Sequence, residues 1–399
     1  MDLPTFRELL SRPGQEALAG AAALRPTGAG FLAAFEKLRK RHPAALAKAA
    51  IETVLLRNRA RVKHALADRM YFTREALEQS SGDAVSRYRA ERFRPFATVA
   101  DLCCGIGADA IQLALAGCRV EAIDCDPLRL AMAEANAAAA GVAERTRFYG
   151  ADVLTAALPA TEAAFVDPAR RVGERRFLDP ERYVPALGAV LARFPQGFPI
   201  AAKIAPGVAW ADIERYDSEV EFVSSAGELK ECVLWFGPLR TVRRRATVLP
   251  DRSLSAELAA EPPPPSAVHD YVFDPDPSVI RAGLMGLLAD DLGTAPVDHG
   301  VALLTGPNLI QSPFADCYRV EHAPPFHIGK LREYLRARGI GRMTVLKRAV
   351  DLDVNEVARK LDLDGPEHRH LILTRSLGKR VGIVAEKVGE SPGAAATGP

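Results

Sequence analysis

Val99-Ala100-Asp101-Leu102-Cys103-Cys104-Gly105-Ile106-Gly107-Ala108-Asp109 decides how this chain folds. The apolar run VADL breaks at a turn with two glycines one residue apart, and the helix-forming stretch ADAIQLALAG follows. A strand entering a tight turn and leaving as a helix opens a βαβ unit. Gly105 and Gly107 permit positive φ and let backbone approach a ligand closely. The helix start behind them offers unpaired N–H groups and a partial positive charge. Such a turn suits a pyrophosphate, and equally the carboxylate of an amino-acid-bearing cofactor.

The alternation continues in both directions. RVEAIDCD reads as the second strand, PLRLAMAEANAAAAG as a helix, RTRFYGAD and AAFVDPAR as strands, and residues 183–194 as a helix. FPIAAKIAP, EVEFVSS and ELKECVLWFG read as three more strands, the last two joined by the short AGE turn. This pattern predicts an α/β fold: a Rossmann-like, mainly parallel sheet covered by helices, with an antiparallel hairpin at its edge. Upstream, residues 5–92 read as helical, with Phe31, Leu32, Phe35 and Leu38 at helical spacing. Thr73 is placed to cap a helix. Downstream come basic RTVRRRATVL, the proline-rich loop AAEPPPPSA, and a small α/β unit with two helices and three strands. The expected division is a helical N-terminal domain over 1–92, the Rossmann-like domain over 93–245, a connecting region over 246–325, a C-terminal α/β domain over 326–390, and a disordered tail over 391–399.

Composition narrows the function classes. Of 399 residues, 48% are hydrophobic and 26% charged, ordinary for a globular enzyme. Net charge is +2, so any nucleic-acid surface must be a local patch. The six cysteines form no CxxC pair and no His/Cys ligand spacing, so no metal is expected. Reduced thiols and a cytoplasmic location are the simpler expectation. No apolar run approaches the roughly 18–20 residues of a membrane span, and the start MDLPTFRELLSRPG does not read as a signal peptide.

Four acids stand at successive strand ends. Asp101 precedes the glycine turn, where it would repel a pyrophosphate but help hold a methionine-type ammonium. Asp124 lies 17 positions beyond Gly107, where a carboxylate receives ribose hydroxyls in either cofactor class. Asp152 is placed to meet an adenine amino group, and Asp167-Pro168 follows the fourth strand. One such Asp is ordinarily a turn former or helix cap. Four together, with the glycine turn, point to a nucleoside cofactor. The formal GxGxxA match of Gly105–Ala110 keeps a dinucleotide open.

These residues resemble the class I S-adenosylmethionine-dependent methyltransferases. DLCCGIG is similar to their D-x-G-x-G-x-G loop, with Cys103 for the first glycine, which predicts a tighter turn. AIDCDP, GAD and VDPAR resemble the next three motifs. The resemblance implies S-adenosyl-L-methionine held by Asp101, Cys103, Gly105, Gly107, Asp124, Cys125, Asp152 and Val153. A narrower resemblance rests on DRMYFTREALEQSS, FVDPARR, AAKIAPG, GELKECVLWFGPL and the small C-terminal unit. It is to a bacterial methyltransferase family whose C-terminal domain is called THUMP-like, after an RNA-binding domain of RNA-modifying enzymes. The catalytic part is also similar to trimethylguanosine synthase, which implies that Phe72 and Thr73 reach over the cofactor.

The resemblance implies that Asp167 and Pro168 are catalytic, with the carboxylate orienting the nucleophile. DPARR lacks the aromatic that amine methyltransferases carry after this acid, leaving Tyr71, Phe72 and Trp235 as candidate platforms, Trp235 reading more as core. Carbon-5 methylation needs a cysteine nucleophile, and none follows the fourth motif, so a base nitrogen is favoured. Arg170 and Arg171 read as a phosphate clamp or a solvated pair. Lys203 reads as a phosphate contact or an ion pair with Asp167. Glu228 and Lys230 read as a substrate frame or as edge charges. Lys330, Arg332, Arg336, Arg338, Arg342, Lys347 and Arg348 lie close in sequence, and of these Arg332, Arg336 and Lys347 read as an RNA-tracking face or a solvated one. The expected partner is RNA. The alternatives are methylation of a small molecule or protein, a non-catalytic binder, and a nicotinamide oxidoreductase, for which no catalytic His/Lys/Tyr set is evident.

Overall fold

The computed structural model describes residues 1–172 and 175–389. The tail 391–399 lies outside the described residues. The chain divides into two compact units, one of residues 1–219 with 231–241, the other of 220–230 with the residues from 242 onward.

In the first unit the glycine turn does what its sequence implies. Strand β1 (Thr98–Leu102) runs into the turn, and Gly107, at φ +77°, caps the helix Ala108–Leu115. A Cβ on Gly107 would lie 3.1 Å from that of Ala133, tighter than ordinary packing, and φ +77° would strain any other residue there. Strands β2 (Arg119–Asp124), β3 (Thr146–Gly150) and β4 (Ala163–Val166) complete the parallel core: β1 pairs with β2 and β4, and β2 with β3. After β4 the chain makes a small antiparallel ribbon, β5 (Arg171–Val172) with β6 (Arg175–Arg176). Then β7 (Ile200–Ile204) joins β4 in parallel. The helix expected over 183–194 is shorter, Leu187–Leu191, because Pro185 interrupts the helical backbone.

The helices before β1 share the sheet's core. Phe6, Leu46, Ile51 and Phe72 fall in one buried cluster with Phe165 and Trp235. Trp235 is fully buried, as its apolar strand suggested.

The hairpin of β8 (Glu219–Ser225) and β9 (Glu228–Trp235) turns at Ala226 and Gly227, both at positive φ. Beyond it the pairing goes on: β10 (Arg244–Val248) runs parallel to β8, and β11 (Arg252–Ala256) antiparallel to β10. The basic stretch RTVRRRATVL thus supplies β10. β9, through residues 232–235, is antiparallel to β7.

The second unit holds a seven-stranded sheet. Its last part carries the two helices Ile328–Ala337 and Val354–Leu361 and the strands Ile340–Lys347, Glu367–Ser376 and Lys379–Lys387, close to the elements read from sequence. Leu331, Leu335, Val357, Leu361, Leu371 and Leu373 form its core.

Candidate active site

A cavity of about 360 Å³ opens at the carboxyl ends of β1, β2 and β4, where ligands bind in parallel sheets. Its wall includes Cys103, Gly105, Asp124, Cys125, Asp152, Val153, Asp167, Pro168 and Arg170, nine of the residues singled out from sequence.

The turn is held from behind. Asp124 Oδ2 accepts from the Gly105 N–H at 2.8 Å, and its Oδ1 accepts from the Asp126 N–H at 2.8 Å. Cys103 takes φ +62°. The chain thus keeps the left-handed conformation that glycine usually supplies, at a strain cost on the order of 1 kcal/mol. Gly105, at φ +57°, has open space where a Cβ would point. Asp152 Oδ1 accepts from the Leu154 N–H at 2.8 Å, which shapes the loop after β3.

Beneath the wall lies a buried ionic floor. Asp101 is 1% exposed, and both its carboxylate oxygens are buried without a hydrogen-bond partner. Burial, reinforced by Asp109 and Asp167, pushes its carboxyl well above the usual range. Arg89, from the helix Asp83–Glu91, pairs with both Asp109 and Glu231 and lies over the Phe165 ring at 4.5 Å. Burial would raise the Asp109 carboxyl, but the Arg89 guanidinium outweighs it and holds it below the usual range. Lys203, 3% exposed, donates to Asp167 Oδ2 at 2.6 Å and to the Gln79 carbonyl at 3.4 Å.

Other sequence candidates fall elsewhere. Phe72 is 1% exposed and packs on His64, with ring centres 5.6 Å apart. Thr73 caps the helix Arg74–Gln79 by accepting from the Ala76 N–H. Neither lines the cavity; that helix instead brings Ala76, Glu78 and Gln79 to it. Tyr71, Phe72 and Trp235, offered as stacking platforms, are all core residues. Lys203 sits below the wall as an ion-pair partner. Glu228 and Lys230 pair with each other at 2.5 Å in the second compact unit. The Arg171 side chain lies outside what the structure describes.

Two residues escaped sequence reasoning. Arg89 sits in YRAERFR, which reads as a solvated helix face. Asn136 does carry a signal, a lone amide in an alanine-rich helix. Its side chain accepts from the Tyr71 N–H at 2.7 Å and donates to the carbonyls of Tyr71 at 3.1 Å and Ile106 at 3.0 Å. It thereby ties the segment before the sheet to the glycine turn.

Comparison with known proteins agrees with this geometry. Residues 96–174 match the family described as RNA cap guanine-N2 methyltransferase, 315–387 match the THUMP domain-like family, and 2–60 match a domain of unknown function. Uncharacterized S-adenosylmethionine-dependent methyltransferases from two strains of Mycobacterium tuberculosis are each 33% identical over 82% of this chain and 92% of their own length. The chain belongs to the S-adenosylmethionine-dependent methyltransferases. A crystal structure of a candidate methyltransferase from Porphyromonas gingivalis W83 shares the fold of this methyltransferase, with TM-score 0.74 and 20% identity over 94% of this chain and 98% of that one.

The residues present fit S-adenosylmethionine. This methyltransferase sets buried Asp101, Asp109 and Glu231 and half-buried Asp167 against Arg89 and Lys203, leaving an acidic excess suited to a cationic nucleoside. An NAD-type pyrophosphate would meet the wrong sign of charge. Among the described residues, no group of three or more His, Cys, Asp and Glu is placed to hold a metal, and no helix is long and apolar enough to cross a membrane.

Proposed function

We propose that this methyltransferase modifies a base nitrogen of RNA, with Asp167 orienting the acceptor. The observation that carries the reading is the placement of Asp167. It stands on the cavity wall beside Pro168, with Oδ2 held by Lys203 and Oδ1 without a protein partner among the described residues. The match of residues 96–174 to an RNA cap guanine-N2 methyltransferase family supports an RNA nitrogen as target. The THUMP-like C-terminal match supports RNA as the partner.

Bound S-adenosylmethionine supplies an electrophilic methyl group on a sulfonium. In the proposed arrangement Asp101 offers its buried carboxylate to the methionine ammonium, Asp124 its carboxylate to the ribose, and Asp152 with Val153 frame the adenine. Cys103, Gly105, Gly107 and Cys125 shape the backbone and wall around it. Phe72 and Thr73 act by seating the helix that brings Gln79 to the cavity. Asp167 Oδ1 accepts a hydrogen bond from the acceptor N–H and aims its lone pair at the methyl group. Positioning dominates, because the nitrogen sheds its proton after the new bond forms. Arg170 and Arg171 are the proposed phosphate contacts.

Carbon methylation is disfavoured by the thiols. Cys103, Cys104 and Cys125 line the cavity, but burial first, and nearby carboxylates second, push each thiol above its ordinary value, away from the nucleophilic thiolate.

The test is transfer of labelled methyl from S-adenosylmethionine to RNA from cells lacking the protein. Wild type incorporates label. Asp167→Asn loses about 10²–10⁴-fold in rate while calorimetry shows unchanged affinity for S-adenosylhomocysteine. Incorporation by the variant at the wild-type rate, or into no RNA fraction at all by wild type, overturns the reading.

A further inference from the structure

We propose that Arg170, Arg175, Arg176 and Arg182, beside the cavity, form a clamp for the phosphate backbone of a single nucleic-acid strand. It holds the strand while one nucleotide enters toward Asp167. The inference rests on the RNA reading above and names the surface that serves it.

Five arginines fall within the thirteen residues 170–182: Arg170, Arg171, Arg175, Arg176 and Arg182. The short β5–β6 pairing sets Arg171 opposite Arg176, and Phe177 N–H closes the ribbon on the Arg170 carbonyl at 2.9 Å. Arg170 and Arg176 both line the cavity that holds Asp167. Arg175 and Arg182 both lie over the Phe177 ring, at 5.3 and 4.3 Å. Stacking of this kind holds a guanidinium plane in place while leaving its N–H edge free to donate.

Two neighbouring acids among the described residues are already committed. Asp179 pairs with Arg215 at 2.9 Å and accepts from the Glu181 N–H, while Glu181 accepts from the Tyr216 hydroxyl and the Gly188 N–H. Among the described residues, Arg170, Arg175, Arg176 and Arg182 have no carboxylate partner. In the C-terminal unit Arg336 pairs with Asp362, Arg348 with Asp274 and Arg369 with Glu321, while Arg332 and Arg342 have no carboxylate among the described residues; what sets Arg170 and Arg176 apart is their place on the cavity wall. A cluster that no described carboxylate neutralises, at a cavity mouth, attracts a polyanion, and the planar guanidinium fork matches phosphate oxygens.

The cavity wall carries no aromatic side chain among the described residues. A base entering it gains no stacking there, so affinity must come from the backbone outside. The acceptor base must leave its stack to reach Asp167 on the wall of the cofactor cavity, which selects a single strand over a duplex.

The test measures binding of a labelled twelve-nucleotide RNA, and of DNA of the same sequence, by anisotropy across a salt series. The full chain is used, saturated with S-adenosylhomocysteine. Arg175→Gln/Arg182→Gln should flatten the slope of log K against log salt by about 1.4, two phosphates at ~0.7 each, on both strands. S-adenosylhomocysteine should bind the variant as it binds wild type, reporting an intact fold. A wild-type slope in that variant, with the slope lost instead in Arg332→Gln/Arg336→Gln, overturns the clamp and leaves the RNA reading standing. Competition by polyglutamate as strong as by RNA overturns nucleic acid as the occupant. No binding of either strand by wild type at low salt sinks both the clamp and the RNA reading.

Discussion

The floor and the mouth of the cavity are both ionic, and they differ in almost everything else. In the floor, Arg89 and Lys203 are buried and matched to Asp109, Glu231 and Asp167, with Asp101 left over. At the mouth, arginines are solvated and no described carboxylate answers them. Burial makes the difference. Removing one partner of a buried pair leaves a charge with neither water nor counterion, whereas surface charges cost little to hold and stay available. On the proposed reading the floor serves fold and cofactor at once, and the mouth meets the partner.

The largest effect should come from breaking the floor. Arg89→Met strands Asp109 and Glu231 in the interior, and a loss of about 3–5 kcal/mol is expected in denaturant unfolding. A loss below about 1 kcal/mol would put Arg89 in the same class as the mouth arginines and erase the contrast. Next is Asn136→Ala, which leaves the Tyr71 N–H and two carbonyls unsatisfied in the core. It should cost about 1–3 kcal/mol and weaken S-adenosylhomocysteine binding measured by calorimetry, since the glycine turn loses its tie at Ile106.

The smallest change sharpens the comparison through pH. The folded-state pKa of Asp101 is raised, so its contribution to stability is fully present below the unfolded value and is lost as pH rises through the folded one. Asp101→Asn removes this loss. The cofactor-free variant should match wild type in melting temperature at acid pH and exceed it by a few degrees at neutral pH, while binding S-adenosylhomocysteine more weakly. A wild-type profile that stays parallel to that of the variant across this range would show that Asp101 is not the uncompensated acid of the floor.

Much of this was readable before any coordinates. The βαβ start at Val99–Asp109, the strand-end acids Asp124, Asp152 and Asp167, and the Thr73 cap depend on neighbours a few residues apart, and local chemistry decides them. Phe72 shows the limit: its motif pointed at the cofactor, while its side chain points into the core with His64. Lys203 shows another, since a strand lysine reads the same whether it meets a ligand or Asp167.

Sequence alone determined the parallel strands around the glycine turn, the turn itself, the cofactor class and the strand-end carboxylates, because strand period, helix capping and glycine's backbone freedom are properties of short segments. Only the tertiary structure decided that Arg89, 142 residues from Glu231, neutralises the floor, that Asn136 joins the turn to the segment ahead of the sheet, and that Arg170, Arg175, Arg176 and Arg182 meet no carboxylate among the described residues. Whether a charge is paired depends on which distant chain segments share its low-dielectric surroundings, and no local pattern encodes that.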